Sequence, residues 1–209
     1  VLNTKPKIDL EYRWVERCSS NREDQMTGPL QDLRVLDCTL ALAGPYASLI
    51  LADLGADVIK IEPPNSSDMR LVASEVIEKT SSGSDESAAE DLGPYKGENG
   101  KFMITNRNKR GVAIDLKSDA GREVFFRLLD TADILVQNFR PGVMERLELG
   151  WEDLRKKNPG LVYCSITGFG EGSPYGKLGG LDLIAQGMSS LMTLTGLSDS
   201  NEPIKVGTP

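Results

Sequence analysis

The 209-residue chain contains no histidine. Ser–His and Cys–His nucleophile pairs, imidazole acid–base catalysis and histidine-rich metal sites are therefore excluded within these residues. Cysteine is nearly as scarce. Cys18, Cys38 and Cys164 stand far apart, in neither a zinc spacing nor the dense pattern of a secreted disulfide scaffold. Cys38 and Cys164 lie in apolar runs and read as small buried hydrophobes. No apolar run reaches transmembrane length, and the polar N-terminus has no signal-peptide core. The expectation is a soluble protein of the cytoplasm or another reducing compartment, with no membrane partner. Positive charge is also in deficit: 24 Lys and Arg against 31 Asp and Glu leave a net charge of −7. Nucleic-acid binding needs a basic face for phosphate contacts, so it is disfavoured.

The acid is unevenly spread. Residues 74–98 hold Glu75, Glu78, Asp85, Glu86, Glu90, Asp91 and Glu98 against Lys79 and Lys96 only, with few apolar side chains. Such a segment cannot bury enough surface to offset the entropy of ordering, and a mobile acidic insertion is expected there. Residues 1–32 are polar and irregular, an expected extension. Residues 33–209 are long enough for one domain with a core. The chain starts at Val1 and stops at Pro209 in mid-pattern, so a fragment of a longer protein is expected.

The stretch 33–62 organises the rest. Val35 and Leu36 make a short β-rich run that stops at polar Asp37. Ala43-Gly44-Pro45 breaks the pattern, with Pro45 suited to the first turn of a helix. Tyr46, Leu49, Ile50 and Leu54 recur at helical spacing as an apolar face, and Gly55 suits a C-terminal cap. Val58, Ile59 and Ile61 form a second strand ending at Glu62. This is a strand–helix–strand unit, hence a parallel pair with a right-handed crossover, and ligands of such sheets sit beyond the carboxyl ends of the strands.

Further strands are expected over residues 112–115, 134–136 and 161–166. Between them, Ser118 reads as an N-cap, with Val124, Phe125, Leu128 and Leu129 as the inner face of the following helix. Residues 143–147 and 151–157 read as two short helices separated by Gly150. Residues 183–194 read as an apolar helix with small residues suited to close packing. Strands alternating with helices imply an α/β fold, a parallel sheet flanked by helices.

The rim loops share a chemistry. Arg107, Lys109 and Arg110 fall within five residues, Lys117 follows the third strand, and Arg140 and Arg146 follow the fourth. Any one of them reads as an ordinary surface charge, but the group beside glycine-rich turns suits a phosphate-bearing ligand. A nicotinamide-type site is disfavoured. The first turn lacks Gly-x-Gly-x-x-Gly, and Pro45 removes an N–H that a pyrophosphate would use, although Glu62 stands where a ribose-binding acid would. Gly168-Phe-Gly-Glu-Gly172 reads equally as a flexible active-site loop or an ordinary turn.

Several ordered motifs carry a resemblance. Leu36-Asp37-Cys-Thr39, Ala43-Gly-Pro45 and residues 53–62 are joined by Asn106-Arg-Asn-Lys-Arg110, Ile114-Asp-Leu-Lys117 and Asp133-Ile-Leu-Val136. Asn138-Phe-Arg-Pro-Gly142, Asn158-Pro159, Ser165-Ile-Thr-Gly-Phe-Gly170 and Gly180-Leu-Asp182 complete them. Together, over residues 33–209, they resemble the class III CoA-transferase (CaiB/BaiF) family, which contains acyl-CoA:carboxylate CoA-transferases and α-methylacyl-CoA racemases. The resemblance implies a Rossmann-like large domain, an interlocked homodimer, acyl-CoA and a carboxylic acid acceptor as substrates, and no permanently bound cofactor. It implies CoA contacts from Ala41, Leu42 and Ala43, from Ile114, Asp115, Leu116 and Lys117, and from Asn138, Phe139, Arg140 and Arg146. Where many relatives have an arginine after the second strand, this chain has Pro63.

Two departures follow from the same resemblance. The racemases carry Gly-His-Asp, whereas this chain reads Gly180-Leu181-Asp182, and a leucine cannot accept a proton; transferase activity is favoured. The transferase nucleophile is an aspartate that attacks the acyl-CoA thioester, giving an acyl-aspartyl anhydride. It follows a Thr-Gly turn, here Thr195-Gly196, and would fall a few residues beyond Pro209. Asp182 is not its equivalent but is expected near the acyl site. No catalytic or metal-ligating residue is thus named within the 209. The alternatives are a racemase-like enzyme, an inactive CoA-binding fragment and a nucleotide-cofactor oxidoreductase.

Overall fold

The computed structural model describes residues 28–64, 100–195 and 202–207. The acidic insertion, most of the N-terminal extension and Cys18 lie outside these residues. Five strands form one sheet: β1 (Arg34–Cys38), β2 (Asp57–Glu62), β3 (Arg110–Ala113), β4 (Ile134–Gln137) and β5 (Val162–Ser165). Their order is β3-β2-β1-β4-β5 and every pairing is parallel. The connections from β1 run outward to β2 and β3, then back across to β4 and β5. The reversal lies between β1 and β4, and open parallel sheets bind their ligands at such a point, beyond the carboxyl ends of the strands.

Among the described residues the helices are α1 (Ala43–Asp53), α2 (Gly100–Asn106), α3 (Asp119–Leu129), α4 (Val143–Arg146), α5 (Trp151–Lys157), α6 (Asp182–Met188) and α7 (Leu191–Leu194). The larger core joins Leu36, Ile59, Ile61, Val112 and Leu135 of the sheet to Phe125 and Leu129 of α3 and Leu154 of α5. The smaller one packs Val35, Val58 and Val136 against Ala52 of α1 and Ala56. Alternate residues of one strand thus feed opposite faces, the period-2 geometry of a sheet covered on both sides. Ser118 caps α3 as expected, its hydroxyl accepting from Gly121 N–H at 3.0 Å. Gly55 takes φ +101°, closing the end of α1 beside Gly28, where a Cβ would strike the Leu54 carbonyl.

Four local expectations are corrected. β1 does not stop at Asp37 but runs to Cys38, with Asp37 completely buried. The inner face of α1 is Gly44, Pro45, Ser48, Leu49 and Ala52, whereas Tyr46, Ile50 and Leu54 are exposed. The start of the helix lies so close to the end of β1 that a Cβ on Gly44 would overlap the Thr39 side chain, leaving no room there for a larger residue. Cys164 is exposed because β5 is an edge strand of the described sheet. The apolar stretch after Asp182 is two short helices broken at Ser189-Ser190, not one packed helix. Leu183, Ile184, Met188 and Leu194 are all exposed.

Candidate functional site

The candidate site is the rim formed by the carboxyl ends of the strands. The turn after β1 places Ala41, Leu42 and Ala43 on the surface. Ala41 adopts φ +64°, a conformation that costs a non-glycine residue roughly 1 kcal/mol. The turn is held there by the first residue after β4. Asn138 accepts from Leu40 N–H at 2.7 Å and donates to Leu40 C=O at 2.8 Å. Asn138 therefore braces the turn with both ends of its amide, while Arg140 beyond it is exposed. Phe139 packs on the core, and its N–H donates to Gln137 Oε1 at 2.9 Å. Arg146 closes α4 and is exposed.

The third group divides in two. Ile114 is buried in the core and Leu116 packs against it, so their side chains face inward. Asp115 and Lys117 face solvent, with Asp115 Oδ1 accepting from Lys117 N–H at 3.0 Å. This group follows β3, three strand spacings or about 14 Å across the sheet from β4. The structure thus brings residues 41–43 and 138–140 together and leaves residues 114–117 at the far side. Only an extended ligand would touch both.

The cationic run is spent largely inside the protein. Arg107 and Asn108 both bond the Asp53 carboxylate. Arg110 makes a two-pronged pair with Asp57, and Lys109 reaches Asp37. Of the rim cations singled out in the sequence, Lys117, Arg140 and Arg146 make no ion pair among the described residues, which leaves them for an anionic ligand.

Beneath the turn lies a polar cluster that reading the sequence for ligand contacts missed. Asp37 and Lys60 are register partners on the neighbouring strands β1 and β2. Asp37 accepts from Thr39 N–H (2.9 Å), Thr39 Oγ (2.5 Å), Ser48 Oγ (2.6 Å) and Lys109 Nζ (2.9 Å). Lys109 Nζ also donates to Pro45 C=O at 2.8 Å and Asn106 Oδ1 at 3.0 Å, and Lys60 Nζ donates to Thr39 C=O. Burial pulls the Asp37 carboxyl upward, but Lys60, Lys109 and the two hydroxyls outweigh it and hold it below its ordinary value. Burial drives Lys109 below its ordinary value, with Asp37 opposing. The signal was visible as one acid and one base, each flanked by apolar neighbours, in Leu36-Asp37-Cys38 and Ile59-Lys60-Ile61. Burial pushes the Cys38 thiol well up, with Asp37 adding to it, so Cys38 is no nucleophile.

On the other side of the reversal is a cavity of about 150 Å³ lined by Gln137, Phe139, Arg140, Gly142, Ser165 and Glu171. A wider recess of about 500 Å³ adjoins it, bounded by Glu145, Trp151, Tyr163 and Thr167. Burial, with Glu145 adding, pushes Tyr163 up, so it remains a neutral phenol at physiological pH. A chain of bonds runs from Gln137 Nε2 to Ser165 Oγ (2.8 Å) and on to Glu171 Oε1 (3.2 Å), tying the 168–172 loop to β4. Gly168 lies against Gly180, and a Cβ on either would overlap the other's Cα. Gly170 has open space around it and φ +78°. Gly168→Ala is expected to cost about 1–3 kcal/mol by overpacking and Gly170→Ala about 1 kcal/mol by backbone strain. Thermal unfolding of the two variants checks this; equal shifts would contradict the steric account.

Asp182 opens α6, where it accepts from Gln186 Nε2 at 2.7 Å and faces Lys205 Nζ at 3.7 Å. Leu181, at the place of the racemase base, is 68% exposed. No group of three His, Cys, Asp or Glu able to hold a metal occurs among the described residues. No helix among them is long and apolar enough to cross a membrane.

Comparison with known proteins places the chain in a family. The pattern of CoA-transferase family III matches residues 30–209. Succinyl-CoA:mesaconate CoA-transferase of Haloarcula hispanica is 43% identical over 189 residues, covering 86% of this chain and 43% of that protein. Succinate–glutarate CoA-transferase of Agrobacterium fabrum is 40% identical over 179 residues, covering 86% of this chain and 42% of that protein. A solved CaiB/BaiF family protein from Brucella suis superposes with a TM-score of 0.72 at 36% identity, covering 88% of this chain and 44% of that one. The chain spans less than half the length of these relatives. On this evidence the chain belongs to CoA-transferase family III.

Proposed function

We propose that these residues form the CoA-binding part of an acyl-CoA:carboxylate CoA-transferase with a Rossmann-like large domain. One observation carries the reading: the braced Ala41–Ala43 turn and Arg140, without an ion pair among the described residues, lie together at the sheet reversal, within a chain about 40% identical to transferases of dicarboxylic acids. The CoA moiety would lie along Ala41–Ala43 and Asn138–Arg140, with Lys117, Arg140 and Arg146 available to its phosphates. Its length accommodates the separation from residues 114–117. No cofactor is required, since both substrates bring their own reacting groups.

In the reaction, an aspartate carboxylate beyond Pro209 attacks the acyl-CoA thioester carbonyl. The C–S bond breaks, CoA leaves as thiolate and an acyl-aspartyl anhydride remains. The thiolate attacks the aspartyl carbonyl of the anhydride, which releases the donor carboxylate and leaves an aspartyl-CoA thioester. The acceptor carboxylate attacks that thioester, freeing the thiolate and forming a new acyl-aspartyl anhydride, and thiolate attack on its acyl carbonyl gives the new acyl-CoA and returns the aspartate. The described residues bind and orient; their chemistry is electrostatic and steric. Exposed Leu183, Ile184, Met188 and Leu194 favour an interlocked homodimer in the complete protein, because apolar surface of that extent is normally covered. A racemase is disfavoured by Leu181, which offers no proton acceptor.

Calorimetric titration with CoA tests the binding half of the proposal. Saturable binding is expected, weakened about tenfold or more in Arg140→Ala by loss of a charge-assisted phosphate contact. No heat of binding up to millimolar CoA would defeat the reading. Transfer from succinyl-CoA to glutarate or mesaconate by the complete protein tests the chemical half. Deuterium exchange at the α-carbon of a 2-methylacyl-CoA would instead favour a racemase.

A further inference from the structure

We propose that Lys60 and Lys109 are positioning residues for acyl-CoA, two buried ammonium groups that grip the carbonyls at the two ends of the Thr39–Pro45 turn and preset it for the ligand. The proposal rests on the acyl-CoA reading of that turn. Lys60 donates to Thr39 C=O, where the chain leaves β1. Lys109 donates to Pro45 C=O, within the first turn of α1. Asp37 sits between the two ammonium groups, 3.7 Å from Lys60 and 2.9 Å from Lys109. Ser48 and Thr39 bond the same carboxylate, so the first two turns of α1 and the exit of β1 share one anchor. With Asn138 on Leu40, the turn is held from below at both ends and from the side in its middle.

Stability alone does not account for this arrangement. A buried ion pair is often no better than an apolar pair of the same volume, because desolvation consumes the Coulombic gain. Apolar residues of matching volume at Asp37, Lys60 and Lys109 together would fill the space without that penalty. What they could not do is hold two carbonyls at fixed points. The turn needs such holding: Ala41 sits in the left-handed region, α1 has no side-chain cap at its start, and residues 41–43 are exposed, with no covering layer among the described residues. Left unheld, the turn would relax toward an ordinary conformation, and binding would then have to reorder it. Presetting the turn removes that cost before the ligand arrives. The loop from α2 to β3 enters the same account. Asn106 aligns Lys109 through its Oδ1, and Arg107 and Asn108 dock this loop on Asp53 at the end of α1. A run of cations that suggests direct phosphate contact thus serves the ligand from behind.

The test compares Lys109→Met with Arg34→Met in the complete protein. Arg34 bonds Asp57 and Thr131 at the opposite end of the sheet and supplies a control for general destabilisation. Each variant is titrated with CoA and assayed with succinyl-CoA as donor and glutarate as acceptor, alongside its thermal midpoint. For Lys109→Met the expected result is an increase of about tenfold or more in CoA Kd and acyl-CoA KM, with kcat within about threefold, the pattern of lost ligand binding rather than lost chemistry. Arg34→Met is expected to keep Kd and KM within about twofold whatever its thermal midpoint. A folded Lys109→Met with unchanged Kd overturns the proposal. So does an equal loss in Arg34→Met, or a fall in kcat with KM unchanged. Should Lys109→Met fail to fold, Asn106→Ala takes its place and is expected to raise Kd about threefold or more; an unchanged Kd there overturns the proposal as well. If the unsubstituted protein binds no CoA, the acyl-CoA reading itself falls and takes the proposal with it.

Discussion

Asp37→Ala is expected to destabilise the protein by about 3–5 kcal/mol, because it strips a carboxylate from two buried ammonium groups. The Asp37 side chain is fully inaccessible, and those of Lys60 and Lys109 are 3% and 1% exposed, so solvent screens little of the loss. For a domain of this size that corresponds to a fall of roughly 10 °C in thermal midpoint. The same group sets an acid limit. The folded-state carboxyl of Asp37 titrates below its ordinary value, so its contribution is complete above the usual carboxylate range. It is lost as pH falls through the lowered folded value. Thermal melts of Asp37→Ala and its parent across the acid range check both statements. The difference between them should be largest near neutrality and shrink in acid. A variant that melts with its parent at pH 7 would refute the role given to the cluster.

Phe125→Ala carries the second large effect, a loss of about 3–5 kcal/mol from transfer plus the cavity left behind. Phe125 is fully buried at the centre of the larger core and, with Leu129, fastens α3 to the sheet. Its neighbour Phe126 provides the contrast. That ring meets Phe125 edge-on at 6.0 Å and carries Lys157 Nζ 4.3 Å above it, but it is only partly buried. Phe126→Ala is expected to cost about 1–2 kcal/mol, the share of a half-covered ring. Denaturant midpoints decide the matter, and equal costs for the two neighbours would show that the α3 packing is wrongly assigned.

The two predictions differ in how legible their residues are in the sequence. Phe125 lies in a helix whose Ser118 cap and three- and four-residue apolar spacing are both plain, and the structure keeps both. Asp37 reads as the polar end of a strand, because an acid inside an apolar run ordinarily marks a boundary. It becomes a core residue only when β2 brings Lys60 into register and the α2–β3 loop delivers Lys109. The same cause misleads at α1. Its large apolar residues suggest an inward face, but the floor below is the Asp37 cluster. Gly44 and Ser48 go in, and Tyr46 and Ile50 are turned outward.

What the sequence by itself determined is whatever rests on local chemistry or on ordered motifs. Strand–helix alternation specifies the parallel α/β sheet. The capping and glycine signals at Ser118 and Gly55 set helix ends, the missing histidine removes imidazole chemistry from these 209 residues, and the motif order identifies the family. Only the tertiary structure decided which charges are spent internally and which remain for a ligand. Arg107, Lys109 and Arg110 look like Arg140 in the sequence, yet they are paired with Asp53, Asp37 and Asp57. That outcome depends on strand register and on chain segments more than fifty residues apart. No local pattern encodes such distances, because pairing is settled by where the sheet places each strand end.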